Sequence, residues 1–550
     1  MVPRRSSSWK GRRLTISSEA LAAELAAGRR DKALALAEVA LSEGSLDPLP
    51  LRIVADSLRQ AGRFDEAIAL YGRGTRNAPG DAALWADLGE CLFAAQRPEQ
   101  ALAAWDRAIE ASGGAAAVLG GKARVLHGLG RVEEAGALFR LALALEPASF
   151  EAGFGLARLA FEAGRLDEAE ALIGPLMAAD PDRRDGRWLA ARIAFGRGEA
   201  EPARALFAGL LAGGRLDLAQ RAETLLALGD ALDALGRFPE AFAATIEGKA
   251  IQRRLFAERA AGREGEVARL TRLAAWFAAA DPAAWTPAPR RAPPTGREAA
   301  GHVFLVGFPR SGTTLLEQVL AGHPDVVALE EAPTLAAHQA RFLVDDAGCA
   351  SLARLPAIDA DAWRARYWME VAGRGVAARG RMFLDKAPAG TLRLPLVAKL
   401  FPGAKVLLAI RDPRDVVLSC LRRVFQMNSL TYAFTSLEET AAAYVATMEL
   451  AMIYRGRLNL DLIEVRHETL VEEFDAELAR IRAFLGLGPH PAMADLAATA
   501  ARRQVRTPSG PQVRAGLNPS GLGHWRAYAA ELAPVMDVLA PWVERFGYAA

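Results

Sequence analysis

Two patterns of apolar positions divide the chain. In the first half, apolar residues recur at helical spacing under a longer fixed period. An alanine stands at Ala33, Ala67, Ala101, Ala135, Ala169 and Ala203, each 34 residues after the last, and a further copy reaches Ala241 after 38. Proline follows three of these alanines by twelve residues, at Pro79, Pro147 and Pro181. One period reads Trp85, Leu88, Gly89, Leu92, Ala101, Trp105, Ala108, which predicts two antiparallel helices. Gly89, Ala101 and Ala108 allow close approach, and Trp85, Leu92 and Trp105 fill the gaps. The proline stops the second helix, and a Gly-Arg turn opens the next hairpin. Past residue 256 the period fades into a charged helical stretch. Residues 281–295, with five prolines, then read as a semi-rigid linker.

The second half changes period. His302–Val306 is a short apolar, β-branched run of the kind that forms a buried parallel strand. It leads into Gly307-Phe-Pro-Arg310-Ser311-Gly312-Thr313-Thr314 and then the helical LLEQVLAGHP. Strand, glycine-containing loop and helix make an anion cradle, because backbone N–H groups and the helix N-terminus converge on a phosphate or its analogue. The hydroxyls of Ser311, Thr313 and Thr314 add donors, and Arg310 adds a fixed charge. The loop is similar to Walker A, but Thr313 stands where that motif has lysine, so a ligand with fewer phosphates and no metal fits better than ATP. A second run, Ala404–Ile410, precedes Arg411-Asp412-Pro413-Arg414-Asp415 and the helical VVLSCLRRVF. Pro413 suits a helix start, and Arg411 falls at the carboxyl edge of the strand, where open α/β sheets bind ligands. Ser419, two turns into that helix, is expected to face the same ligand.

Composition narrows the classes. The 550 residues are 51% hydrophobic and 24% charged, the balance of a protein with a large core. Lys and Arg number 67 against 65 Asp and Glu, a net charge of +2, so nucleic acid is not an expected partner and any anion needs a local site. Three cysteines with no C-x-x-C pair suit a reducing cytoplasm. The basic start has no signal-peptide core, and no stretch approaches the roughly 20 apolar residues of a membrane span. No metal-ligand cluster is visible, and the seven histidines are scattered.

The first-half period resembles the tetratricopeptide repeat. In the second half, FPRSGTT with AGHPD and Glu330-Glu331 resembles the 5′-phosphosulfate loop of sulfotransferases, and Arg411 in RDPRDVVLS resembles their 3′-phosphate motif. The likeness covers roughly residues 301–548, and is to the tyrosylprotein sulfotransferase branch and to bacterial sulfotransferases that carry such repeats. It implies an N-terminal α-solenoid (17–256), a helical extension and Pro-rich linker (257–300), and a P-loop-like α/β sulfotransferase domain with a central parallel sheet (301–550). The co-substrate implied is 3′-phosphoadenosine-5′-phosphosulfate (PAPS), without metal. By position, Arg310, Ser311, Gly312, Thr313 and Thr314 would hold the 5′-phosphosulfate, and Arg411 with Ser419 the 3′-phosphate. Ser509 in TPSGPQV resembles a further phosphosulfate contact. Glu331, the second glutamate of a pair 21 residues after the loop arginine, corresponds to the family's base, and Lys386 in FLDKAP to its catalytic lysine. Three positions depart from the pattern: His467 replaces a tyrosine, Gly521 a serine and His524 an arginine.

The chemistry suits these residue types. A carboxylate beside a like charge can serve as base for an acceptor hydroxyl, and Arg310 or Lys386 can meet the charge that develops on the leaving phosphate. His323 reads as a turn residue after the first helix, and Cys420 as a buried small apolar residue. The acceptor is expected to be a hydroxyl, with a protein or peptide favoured, and the repeat groove is expected to take a protein partner or dock on its own domain. The rival readings are a P-loop-like nucleotide kinase or NTPase, marked by Mg²⁺-dependent ATP binding, and a non-catalytic scaffold with a relic nucleotide domain.

Overall fold

The protein is described by a computed structural model over residues 16–214, 216–291, 296–496, 499 and 521–549. It separates into two compact units, Met1–Leu206 and Phe207–Ala550.

In the first unit the repeat is a pair of antiparallel helices, as in Ala82–Ala94 and Pro98–Ser112. Asp81 caps the first helix by accepting from the Ala83 and Leu84 amides, and Pro98 opens the second, where no N–H is needed. The six alanines from Ala33 to Ala203 are buried. A side chain there larger than a methyl would push the two helices apart. The tightest fit is at Trp105: a Cβ on Gly89 would lie 2.7 Å from its indole and one on Gly121 only 2.2 Å, so glycines of two successive repeats grip one ring. The Gly-Arg turn lies inside each hairpin rather than opening the next one, and it needs a left-handed residue, supplied by Gly62, Gly130 and Gly164 at φ 74°, 75° and 77°. Gln96 fills the same position at φ 60°.

The second unit opens with the hairpin Leu218–Ala234 and Phe238–Ala260 and the helix Glu266–Ala279. Leu232, Ala241, Ala244, Leu273 and Phe277 from these helices join the same core as one face of the sheet. The described part of the proline-rich stretch is pinned. Pro282–Trp285 forms one 3-10 turn, Trp285 is buried, and the Ala288 amide donates to the Lys399 carbonyl at 3.0 Å.

The sheet has five strands: β1 Gly301–Gly307, β2 Val326–Glu330, β3 Met382–Lys386, β4 Lys405–Ile410 and β5 Asp461–Arg466. All pairings are parallel, in the order β2-β3-β1-β4-β5. Successive side chains point to opposite faces, and both faces are covered. Phe304, Val306, Phe383, Val406 and Leu408 pack into one core, while Val303, Leu305, Leu384, Leu407 and Ala409 pack on the other with Leu316 and Val319 of the first helix. That explains the unbroken apolar runs. The chain leaves β1 toward β2 and β3 on one side and later continues to β4 and β5 on the other. The crevice at such a switch lies at the carboxyl end of β1. Among the described residues no helix is long and apolar enough to cross a membrane.

Gln96→Gly removes left-handed strain from a non-glycine residue and is expected to stabilise the array by about 1 kcal/mol, read as a higher urea or thermal midpoint. A lower midpoint contradicts this account of the turn.

Candidate active site

The carboxyl ends of all five strands deliver residues to one region. From β1 comes the loop Phe308–Gly312, followed by the helix Thr313–Ala321. The loop coils tightly enough to need two left-handed residues, Arg310 at φ 72° and Gly312 at φ 91°. A Cβ on Gly312 would lie 2.4 Å from His467 Nδ1, so only glycine lets the imidazole that follows β5 pack on the loop. Ser311, Thr313 and Thr314 are buried at the start of the helix, where its first N–H groups converge.

The β4 side is basic. Arg310 Nε donates to Ser419 Oγ at 2.9 Å, joining two segments 109 residues apart. Arg411 donates to the carbonyls of Gly521 and Arg310, and its Nε is buried with no hydrogen-bond partner. Asp415 lies 3.7 Å from Arg411 and accepts from the Gly523 and Trp525 amides at 2.7 and 2.9 Å, which folds the segment containing Gly521 and His524 against Arg411. Burial, then Arg423 and Arg411, push the Arg310 guanidinium down to about 9. Burial, then Arg411 and Arg310, push the His467 imidazole down to about 3, and its Nδ1 has no hydrogen-bond partner. These shifts mark positive charge gathered in one place.

Not every member of the RDPRD run faces this site. Arg414 pairs with Asp412 at 2.8 Å and stacks 3.7 Å over the Trp525 ring, a structural role. Conversely, Arg423, which the sequence reading did not single out, joins the cations near Arg310, and its Nε is also buried without a hydrogen-bond partner. Its position one helical turn after Ser419 is the signal that points to it.

The β2–β3 side is acidic. Lys386 Nζ, fully buried, lies 2.8 Å from Glu331, 3.3 Å from Glu330 and 3.3 Å from Glu317. Burial alone would lower the lysine's pKa, but Glu317, Glu331 and Glu330 hold it above the ordinary range. Glu331 has a left-handed backbone at φ 46°, and its N–H donates to the Lys386 carbonyl at 2.8 Å. That turn lets adjacent glutamates reach one cation, with the Glu331 side chain 44% exposed. Thr334 donates to Asp385 at 2.8 Å and Tyr367 does so at 2.7 Å, tying the loop after Glu331 to β3. Glu317 was hidden in the sequence inside an apolar helical run.

His323 is buried just past the first helix, where its Nδ1 accepts from the Asp325 amide at 3.1 Å. Cys420 is fully buried, and burial pushes its thiol up to about 12. Ser509 lies outside the described residues. Among the described residues no group of three or more His, Cys, Asp or Glu is disposed to hold a metal ion.

Residues 302–491 match the Sulfotransferase family, and residues 58–125 and 126–193 match the Tetratricopeptide repeat. The first half is thus similar to tetratricopeptide arrays, and the second half is similar to the Sulfotransferase family over residues 302–491. Nodulation protein NoeE of Sinorhizobium fredii is 31% identical over 219 residues, 34% of this chain and 50% of that protein. Protein-tyrosine sulfotransferase 2 of Gallus gallus is 27% identical over 269 residues, 45% of this chain and 69% of that protein. Protein-tyrosine sulfotransferase A of Caenorhabditis elegans is 27% identical over 272 residues, covering 45% of this chain and 67% of its own length. The chain thus spans half the length of the nodulation protein and about two thirds of the other two. In the region similar to sulfotransferases the loop after β1 sits between an acidic and a basic half-site.

The depressed His467 pKa fixes a sign. The imidazole stays neutral in the fold, whereas the unfolded chain takes up a proton below about pH 6.5. Stability is therefore lost as pH falls from about 6.5 toward 3, by up to about 1.4 kcal/mol per unit from this group. Urea midpoints at pH 7.5 and 5 should show a smaller acid loss in His467→Tyr than in the wild type. An equal loss contradicts the burial assigned to His467.

Proposed function

We propose that the chain is a PAPS-dependent sulfotransferase that moves a sulfuryl group to an acceptor hydroxyl, on a protein or peptide, by in-line displacement. The observation that carries this reading is the Arg310–Ser419 hydrogen bond, which makes one basic site of the two anion-binding segments, with the Glu331–Lys386 pair at the ends of the strands on the other side of β1. The residues present fit the nucleotide. Arg411 Nε and His467 Nδ1, both buried polar atoms without hydrogen-bond partners, supply polar sites for a phosphate-rich ligand, Arg411 Nε as a donor. In this reading Arg411 and Ser419 hold the 3′-phosphate, and Arg310 with Ser311, Gly312, Thr313 and Thr314 holds the 5′-phosphosulfate. Ser509 is proposed as a further contact.

The donor brings the sulfuryl group and a phosphate leaving group, and no metal is needed. The chain's work is to orient, to take a proton and to meet developing charge. Glu331, ion-paired with Lys386 and partly open to solvent, takes the acceptor's hydroxyl proton. Once Glu331 is neutral, its hold on Lys386 weakens. The ammonium, still oriented by Glu317 and Glu330, then acts with Arg310 on the leaving phosphate. The protein-tyrosine sulfotransferases among its relatives favour a protein hydroxyl as acceptor. The repeats, proposed to span 17–256 with an extension at 257–300 before the catalytic part at 301–550, favour a peptide or protein partner in their groove. Three free, buried cysteines suit a cytoplasmic setting.

The test is transfer of labelled sulfuryl from PAPS, without metal, to a library of hydroxyl-bearing peptides. Label is expected in peptide with the wild type, and Glu331→Gln is expected to cut turnover about 10²- to 10⁴-fold at saturating PAPS. Full turnover in the variant removes Glu331 from the role of base.

A further inference from the structure

The last helical hairpin of the array carries two aspartates that pair with arginines at the end of the helix presenting Ser419. Asp230 and Asp233 lie one turn apart on Leu218–Ala234. Arg422 Nη2 lies 3.3 Å from Asp230 Oδ1 and 2.9 Å from Asp233 Oδ2, and Arg423 Nη1 lies 3.0 Å from Asp230 Oδ2. Burial would lower the Arg422 pKa, but Asp233 and Asp230 hold it up. Asp233 Oδ1 also accepts from the Tyr528 hydroxyl and lies 2.8 Å from His524 Nε2. The partner helix Phe238–Ala260 adds two contacts. Phe238 packs edge-on against the rings of His524 and Tyr528, and buried Lys249 donates from Nζ to the Arg423 carbonyl at 2.7 Å.

Both arms of this clamp end at the 3′-phosphate grip. Arg422 and Arg423 close the helix that presents Ser419, and Arg423 is the cation that bears most on Arg310. The segment with His524 and Tyr528 starts at Gly521, whose carbonyl accepts from Arg411. His524 stands where the resembled family has an arginine, and its ring engages Asp233. A departure from the pattern is thus matched by a residue of the repeat hairpin.

We propose that Asp230 and Asp233 are positioning residues of the nucleotide site, which orient Arg422, Arg423 and the 521–528 segment so that Arg423 and Arg411 meet the 3′-phosphate. Two effects compete. A carboxylate near an anion site repels the ligand, but each aspartate is bound to a guanidinium within 3.3 Å that cancels most of its field. A fixed guanidinium orientation, by contrast, avoids an ordering cost on binding. Orientation prevails, so losing the carboxylates weakens binding.

The inference rests on the nucleotide reading above, and the experiment separates the two. The full chain, as wild type, Asp230→Asn/Asp233→Asn and Asp230→Asn alone, is titrated calorimetrically with 3′-phosphoadenosine-5′-phosphate and with adenosine 5′-monophosphate, which lacks the 3′-phosphate. The wild type is expected to bind the bisphosphate more tightly. The double variant is expected to lose about tenfold for the bisphosphate while its affinity for the monophosphate stays unchanged. Asp230→Asn, which leaves Asp233 on Arg422 and His524, guards against unfolding and should show a smaller loss of the same kind. On an Arg423→Ala background, Asp230→Asn should add little. Unchanged or tighter bisphosphate binding, or an equal loss for both ligands, overturns the positioning role and leaves the nucleotide reading standing. A wild type that binds neither ligand overturns both.

Discussion

Gathering Arg310, Arg411 and Arg423, the first of them buried, at one place is the constraint on which much of the second unit depends. Burial, together with Arg423 and Arg411 nearby, lowers the Arg310 pKa, and guanidinium groups gathered in this way are costly unless each is aimed and partly offset. The offsets come from distant parts of the chain. Ser419 accepts from Arg310, the Gly521 and Arg310 carbonyls accept from Arg411, and Asp415 faces Arg411 while holding the backbone at Gly523 and Trp525. Burial pushes the Asp415 carboxyl above its usual range despite Arg411, a further sign that the charges are kept short of full neutralisation. In the proposed reading an anionic ligand completes the set.

The strand order turns this into chemistry by segregating charge. With β1 in the middle, β2 and β3 carry Glu330, Glu331 and Lys386 on one side, while β4 leads to Arg411 on the other. The loop after β1 lies between. Glu317 on the following helix reaches the acidic cluster, and Arg310 on the loop reaches the basic one. The proposed base and phosphate grip call for opposite electrostatic surroundings, which a parallel sheet with a switch point can present from its strand ends. The strained backbones at Arg310 and Glu331 fall at these two half-sites.

Local signals in the sequence were enough for much of this. The 34-residue alanine period marked the hairpins because a buried close contact tolerates only a small side chain, and the unbroken runs at 302–306 and 404–410 marked strands covered on both faces. The loop residues Arg310 to Thr314, Arg411, Ser419, Glu331 and Lys386 were legible as motifs. Pairings made across the fold were not. Glu317 reads as one polar position in an apolar helix until β3 brings Lys386 to it, and Asp230 reads as a solvated face of a repeat until Arg422 and Arg423 pack against it. The Arg414–Asp412–Trp525 stack also needed coordinates to be separated from the cations near Arg310. Left-handed backbone at Glu331 carries no sequence mark, since it is neither glycine nor asparagine, and at Gln96 it shows only through the repeat register shared with Gly62 and Gly130.

The central claim, a metal-free basic site built for a nucleotide bisphosphate, is tested most directly by calorimetric titration of wild type and Arg411→Ala with 3′-phosphoadenosine-5′-phosphate in the presence of a chelator, with ATP·Mg²⁺ as the comparison ligand. The account predicts wild-type binding in roughly the micromolar range, weakened about tenfold or more by the substitution. ATP·Mg²⁺ binding without bisphosphate binding would contradict it.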